Sequence, residues 1–194
     1  CKKNNIPIAL FGKPNNNIYA DCVEIDIEES VYCLTQHLIT QGYRNIASFS
    51  NINHAENIAG YERAMKENDL AEFIHTLPLS LARMENAYQD MTKFLDSGAP
   101  LPRAIIAAND LSAFGTIRAL HEHGIKIPEQ CAVAGVDNTN FSKFSVPSLT
   151  TIGFDNGICA EAVWKLMMNR LSNKEKKSHV SVMVHQKLFA RDST

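Results

Sequence analysis

The chain has 194 residues, 45% of them hydrophobic and 21% charged, which suits one ordinary globular domain or two small lobes on a shared chain. The formal net charge is −2 and no long basic block occurs, so these residues carry no nucleic-acid footprint of their own. No apolar run approaches the ~20 residues that cross a bilayer, and no membrane partner is expected. Five cysteines, Cys1, Cys22, Cys33, Cys131 and Cys159, form no CxxC pair and read as small core hydrophobes in a reducing cytosol.

Strands and helices alternate along the chain. Residues 6–11 read as a short apolar strand followed by a Gly-Lys-Pro-Asn turn, and 22–26 as a second strand. Over 29–41, Val31, Leu34, Leu38 and Ile39 recur at helical spacing, and Gly42 ends the helix. A strand at 45–50 precedes a helix at 55–67 whose inner face holds Ile58, Tyr61, Ala64 and Met65. A weaker strand at 73–77 leads to a helix at 86–96, ended by Ser97 and Gly98. Residues 103–108 read as a strand, apolar without a break from Ala104 to Ala108, as burial on both faces requires. A helix at 110–123 stops at Gly124, and a strand follows at 131–136. Beyond 149–152 the helix 157–171 carries Ile158, Val163, Leu166 and Met167 on one side. A charged loop at 173–178 then precedes closing strands at 180–184 and 187–190. This order demands an α/β fold with parallel sheets, helices on both faces and right-handed crossovers.

Polar side chains gather where apolar strands end. The segment AIIAAND (104–110) ends in Asn109 and Asp110, and CAVAGVDN (131–138) places Asp137 after Gly135 and Val136. The carboxyl edge of an open parallel sheet is where ligands bind. A carboxylate at Asp137 can accept two hydrogens at once, which suits sugar diols or the N–H groups of a base; it can equally cap a local turn. Asp110 fits the N-cap of the following helix, which leaves Asn109 facing the crevice with a donor and an acceptor. The loop 51–57, with Asn51, Asn53 and Asn57, lies between a strand and a helix start; its amides can clasp a polar ligand or serve only the loop. The motifs GxSxG, GxGxxG, Walker A and HExxH do not occur, and the histidines are scattered, so no enzyme, cofactor or metal is expected.

These stretches, with the Gly-Ile-Lys-Ile-Pro run at 124–128, the Pro-Ser-Leu-Thr-Thr run at 147–151 and the ending Leu188-Phe189-Ala190-Arg191-Asp192-Ser193-Thr194, closely resemble the LacI/GalR family of bacterial sugar- and nucleobase-responsive repressors. The resemblance implies a periplasmic-binding-protein-like fold of two α/β lobes with the first incomplete. Residues 1–43 and 151–185 would form what remains of the first lobe, and 44–150 with 186–194 the second. It implies a small polar effector, most simply a sugar, bound between the lobes by Asp137, Asn109, Asn57, Asn53, Asn51, Asp26 and Asp110. It also implies a homodimer that uses Phe141 and Phe144 in the loop 138–147; the alternative is that both rings tuck into their own core. Operator DNA would be met only through a helix-turn-helix that these residues do not contain. The chain departs from the family at Asn57, where Arg is usual. Asn cannot make the charged bidentate fork that grips a carboxylate or phosphate. It departs again at Leu81 and Ala82, where the family often offers an aromatic face. The expected function is effector sensing in a cytoplasmic transcriptional repressor; the alternative is a periplasmic sugar-binding protein of a transport system, which an export signal would favour.

Overall fold

The computed structural model describes residues 6–12, 20–155, 157–172 and 179–194; Cys1, most of the expected turn after residue 11 and the loop 173–178 lie outside the described residues. In chain order the elements are β1 (Ala9–Phe11), β2 (Asp21–Ile25), α1 (Ile27–Thr40), β3 (Ile46–Ser50), α2 (Ala55–Glu67), β4 (His75–Pro78), α3 (Met84–Asp96), β5 (Ala104–Ala107), α4 (Asp110–Glu122), β6 (Ala132–Asp137), β7 (Thr150–Gly153), α5 (Ile158–Ser172), β8 (Ser181–Val184) and β9 (Lys187–Phe189). They divide into two compact units. The first holds Cys1–Asp26 and Phe154–Gln186, and the second Ile27–Gly153 and Lys187–Thr194.

The first unit is a parallel sheet in the order β1-β2-β8 with α5 against it. One buried ion pair joins its three sequence segments. The Asp21 carboxylate on β2 accepts from Arg170 Nε on α5 at 2.8 Å, from Arg170 Nη2, and from the Val180 backbone N–H before β8 at 2.9 Å. Burial pushes the Asp21 carboxyl up, but these hydrogen bonds outweigh it and hold the group below its ordinary value.

The second unit is a six-stranded sheet in the order β4-β3-β5-β6-β7-β9, parallel except for the antiparallel β7–β9 edge. Its central strand shows why the sheet is covered on both sides. Ile105 and Ala107 pack into one core with Phe49, Leu120 and Val133, while Ala104 and Ile106 pack into the other with Leu34, Tyr61 and Met65. Successive side chains of a strand point to opposite faces, so an unbroken apolar run needs helices on both. Helices α3 and α4 pair over one face, and α1 and α2 pair over the other.

The crossings between units differ from the sequence expectation. Helix α1, read as part of the first lobe, belongs to the second unit, because Val31, Leu34 and Leu38 share a core with Ile46, Tyr61 and Met65. Gly60 permits that pairing. A side chain there would strike the Glu28 carbonyl and the Tyr32 backbone N–H of α1. The first boundary therefore falls after Asp26 rather than after residue 43. The return begins at Phe154 rather than at 151, since β7 pairs with both β6 and β9, and Gln186 stays with the first unit.

Candidate functional site

Strands β3, β5 and β6 run parallel, so their carboxyl ends reach the same edge of the second unit's sheet. Past β3 comes Asn51, past β5 comes Ala108, and β6 ends on Asp137 itself. A hollow of about 290 Å³ opens there, and Asn53, His54, Glu56, Asn57, Ala108 and Asp137 are among its lining residues.

Asp137 is the chemical centre of this hollow. Its φ is +118°, a region that favours glycine, and Asn138 follows at +52°. Strain of this kind persists only where the surroundings enforce it, and they do so here. The Asn138 N–H donates to Thr151 Oγ1 at 3.2 Å, and Arg191 Nη2 donates to Asn138 Oδ1 at 2.8 Å. The Asp110 carboxylate accepts from the Thr139 N–H at 2.7 Å, the Thr139 hydroxyl at 3.0 Å and the Thr151 hydroxyl at 2.6 Å. No described residue donates a hydrogen bond to the Asp137 carboxylate, although the side chain lines the hollow and is accessible. Loss of surrounding water and repulsion from Asp110 push its carboxyl up to about 7.

Asp110 takes a different part from the one expected. It does not cap α4 and does not line the hollow; it is fully buried and fastens the turn behind Asp137. Burial raises its carboxyl despite the three hydrogen bonds it accepts. Gly135 makes room for it, since a Cβ on Gly135 would come within 2.5 Å of Asp110 Oδ1. The N-cap of α4 is Asn109, whose Oδ1 accepts from the Ser112 N–H at 2.8 Å in a reciprocal capping box. Asn109 Nδ2 donates to the Ala82 carbonyl at 3.1 Å, so this amide is committed to the helix start and lies off the hollow's lining.

The asparagine loop divides in the same way. Asn51 Nδ2 donates to the carbonyls of Leu79 and Ser80 at 2.9 and 3.2 Å. Its Oδ1 therefore faces the Asn53 N–H and His54 Nδ1, each at 3.0 Å. Asn51 shapes the loop and is not among the lining residues. Asn53 and Asn57 are. Asn57 is buried and donates through Nδ2 to the Ala108 carbonyl at 3.2 Å, joining α2 to the end of β5. Asp26 is the last residue of the first unit, one residue beyond β2.

Sequence reasoning missed His54 and Glu56 as lining residues and Arg191 as the clamp on Asn138. For the first two the signal was available, since both sit between Asn53 and Asn57. Phe141 and Phe144 do not tuck into a core; they are 73% and 77% exposed, beside Val146 at 91%.

The comparisons with known proteins agree with this architecture. The family description "Periplasmic binding protein-like domain" matches residues 35–194, and the chain belongs to that family, in the form carried by LacI-type regulators. The HTH-type transcriptional repressor PurR of Histophilus somni (strain 129Pt) is 29% identical over 193 residues, which cover 97% of this chain and 57% of that protein. Catabolite control protein A of Priestia megaterium is 28% identical, over 100% of this chain and 59% of its own length. A crystal structure of a LacI family transcriptional regulator from Enterococcus faecium, with bound ribose, superposes with a TM-score of 0.88 at 26% identity, covering 100% of this chain and 72% of that one. The chain thus spans less than two thirds of the curated relatives' length, and these relatives are transcriptional regulators, not enzymes. No helix among the described residues is long and apolar enough to cross a membrane.

Proposed function

We propose that this chain is the effector-sensing part of a cytoplasmic LacI/GalR-type transcriptional repressor, and that it binds a small sugar-like effector in the hollow at Asp137. One observation carries the reading. A carboxylate with no donor from any described residue is held in a strained backbone, on a hollow at the carboxyl edge of a parallel sheet. Such a carboxylate can take two hydroxyls of a diol. The ribose in the E. faecium regulator supports the same ligand class. Asn53 and Asn57 are the proposed partners of Asp137, while Asn51, Asn109 and Asp110 support them. Asp26 remains a proposed contact from the first unit. The exposed Phe141 and Phe144 support a homodimer through the loop 138–147, as an apolar patch on a regulator of paired DNA half-sites would. The test is fluorescence anisotropy of the complete regulator on its promoter DNA, titrated with ribose and related neutral monosaccharides. A sugar should change DNA affinity in the wild type and not in Asp137→Ala. An unaltered sugar response in that variant sinks the reading.

A further inference from the structure

His54 lines the hollow with its hydrogen-bonding sense already set, because Asn51 is fixed at both ends of its own amide. The Asn53 backbone N–H can only donate, so the atom it meets at 3.0 Å is Asn51 Oδ1. The Leu79 and Ser80 carbonyls can only accept, so the atom that meets them, at 2.9 and 3.2 Å, is Asn51 Nδ2. Asn51 Oδ1 also lies 3.0 Å from His54 Nδ1, and an amide oxygen has no proton to give. His54 Nδ1 therefore carries the proton and donates. Burial holds the imidazole below its ordinary value, so the ring is neutral at neutral pH. A neutral ring with its proton on Nδ1 has Nε2 as an acceptor. Control thus runs from the backbone just past β4, through Asn51, to a ring at the hollow.

The topology puts this acceptor and the Asp137 carboxylate on different strands. His54 follows β3, Asp137 ends β6, and β5 lies between the two strands. Two sheet steps of about 4.8 Å set the ends of β3 and β6 ~10 Å apart. A monosaccharide bridges a gap of that order with a hydroxyl at each edge. We propose that His54 is a specificity-determining contact whose Nε2 accepts a hydrogen bond from an effector hydroxyl, with Asn51 as the positioning residue that keeps Nε2 in that role. The inference rests on reading this hollow as the sugar site and adds a second donor that the effector must present. A hydroxyl fits Nε2. An ether or carbonyl oxygen in its place does not, because it sets one lone pair against another.

Histidine-selective nitrogen NMR of the whole protein, above neutral pH, tells the two ring nitrogens apart. The His54 pair is assigned by its loss in His54→Phe. In the free protein Nδ1 should be protonated and Nε2 bare. Saturating ribose should move Nε2 upfield, as an acceptor moves when it gains a donor, and leave Nδ1 protonated. In Asn51→Ala part of the proton should pass to Nε2, the nitrogen that an unconstrained imidazole prefers. That variant and His54→Phe should each bind ribose about tenfold more weakly, the value of one hydrogen bond. A free protein with the proton on Nε2 overturns the proposal. So does an Nε2 resonance that stays in place while ribose alters DNA binding, and the sugar reading then stands. Ribose that moves Nε2 yet acts on DNA equally in Asp137→Ala upholds His54 and fails the Asp137 reading. Ribose that neither moves Nε2 nor alters DNA binding fails both.

Discussion

The Asp110 carboxylate accepts the Thr151 hydroxyl at 2.6 Å, and this bond ties the first turn of α4 to β7 across 41 residues of sequence. The same carboxylate holds Thr139 through both its N–H and its hydroxyl. Asp110 therefore fixes where Asp137 stands without itself lining the hollow. The two carboxylates differ in kind: one is buried and fully engaged, the other accessible and without a donor among the described residues.

Truncating Asp110 leaves two threonine hydroxyls and one N–H without their acceptor. Asp110→Ala should lower unfolding stability by about 3 kcal/mol, the usual cost of breaking a buried charged network. Urea denaturation checks this. Asp110→Asn keeps one acceptor oxygen and should fall between the two. A loss under about 1 kcal/mol for the alanine variant, roughly the value of a surface change, would count against the role given to Asp110.

Asp137 should weaken the fold it serves. Its carboxyl titrates near 3.8 when unfolded and at about 7 when folded, so the folded chain binds the extra proton between those values. Stability must then fall as pH climbs through that window, because ionising the carboxyl costs more in the fold than in the unfolded chain. Asp137→Asn removes this charge and suits a positive φ better. The variant should melt higher than wild type at pH 8, with the gap closing toward about pH 4. Differential scanning calorimetry at the two pH values decides it, and an equal gap at both would show that ionisation is not the cause.

Much of this was legible in the sequence, and the rest failed for identifiable reasons. Helix α2 runs over Ala55–Glu67 as read, because its stripe through Tyr61, Ala64 and Met65 is local information. Asp137 was legible because a polar residue that ends a buried strand stands out. The side of the boundary on which α1 falls was not legible. A stripe at helical spacing reveals a buried face but not which core buries it, and here Ile46 and Tyr61 decide. The cap of α4 was misread by one position, since Asn and Asp cap equally well and only the reciprocal bond with Ser112 separates them. The Arg191 clamp on Asn138 joins residues 53 apart, which no local pattern encodes.

In the first unit, the Arg170–Asp21 pair is largely shielded from solvent, whereas the Lys165–Glu161 pair is exposed. The Asp21 and Arg170 side chains are 5% and 13% exposed, so Arg170→Met strands a carboxylate in the interior. The change should cost about 3 kcal/mol. Hydrogen exchange at β2 and β8 should speed up, while β5 and β6 in the second unit stay protected. Because Asp21 sits below its ordinary value of 3.8, its stabilisation is present above that pH and is lost as pH falls through the folded value. Uniform acceleration in both units would contradict a local role.

The aromatic pair in the loop 138–147 predicts assembly. Phe141→Ser with Phe144→Ser should shift the protein from dimer toward monomer in sedimentation velocity at low micromolar concentration, with unchanged circular dichroism. A double variant that remains folded and dimeric removes this loop from the interface.

If Asp137 holds the effector while Asp110 holds Asp137, effector affinity must depend on the Asp137 carboxylate. Isothermal calorimetry with ribose on the wild type and on Asp137→Ala decides this. The substitution should weaken binding by about 1–3 kcal/mol, the range for a hydrogen-bonded charge, in a protein that still folds. Ribose affinity unchanged by Asp137→Ala would remove Asp137 from the effector site.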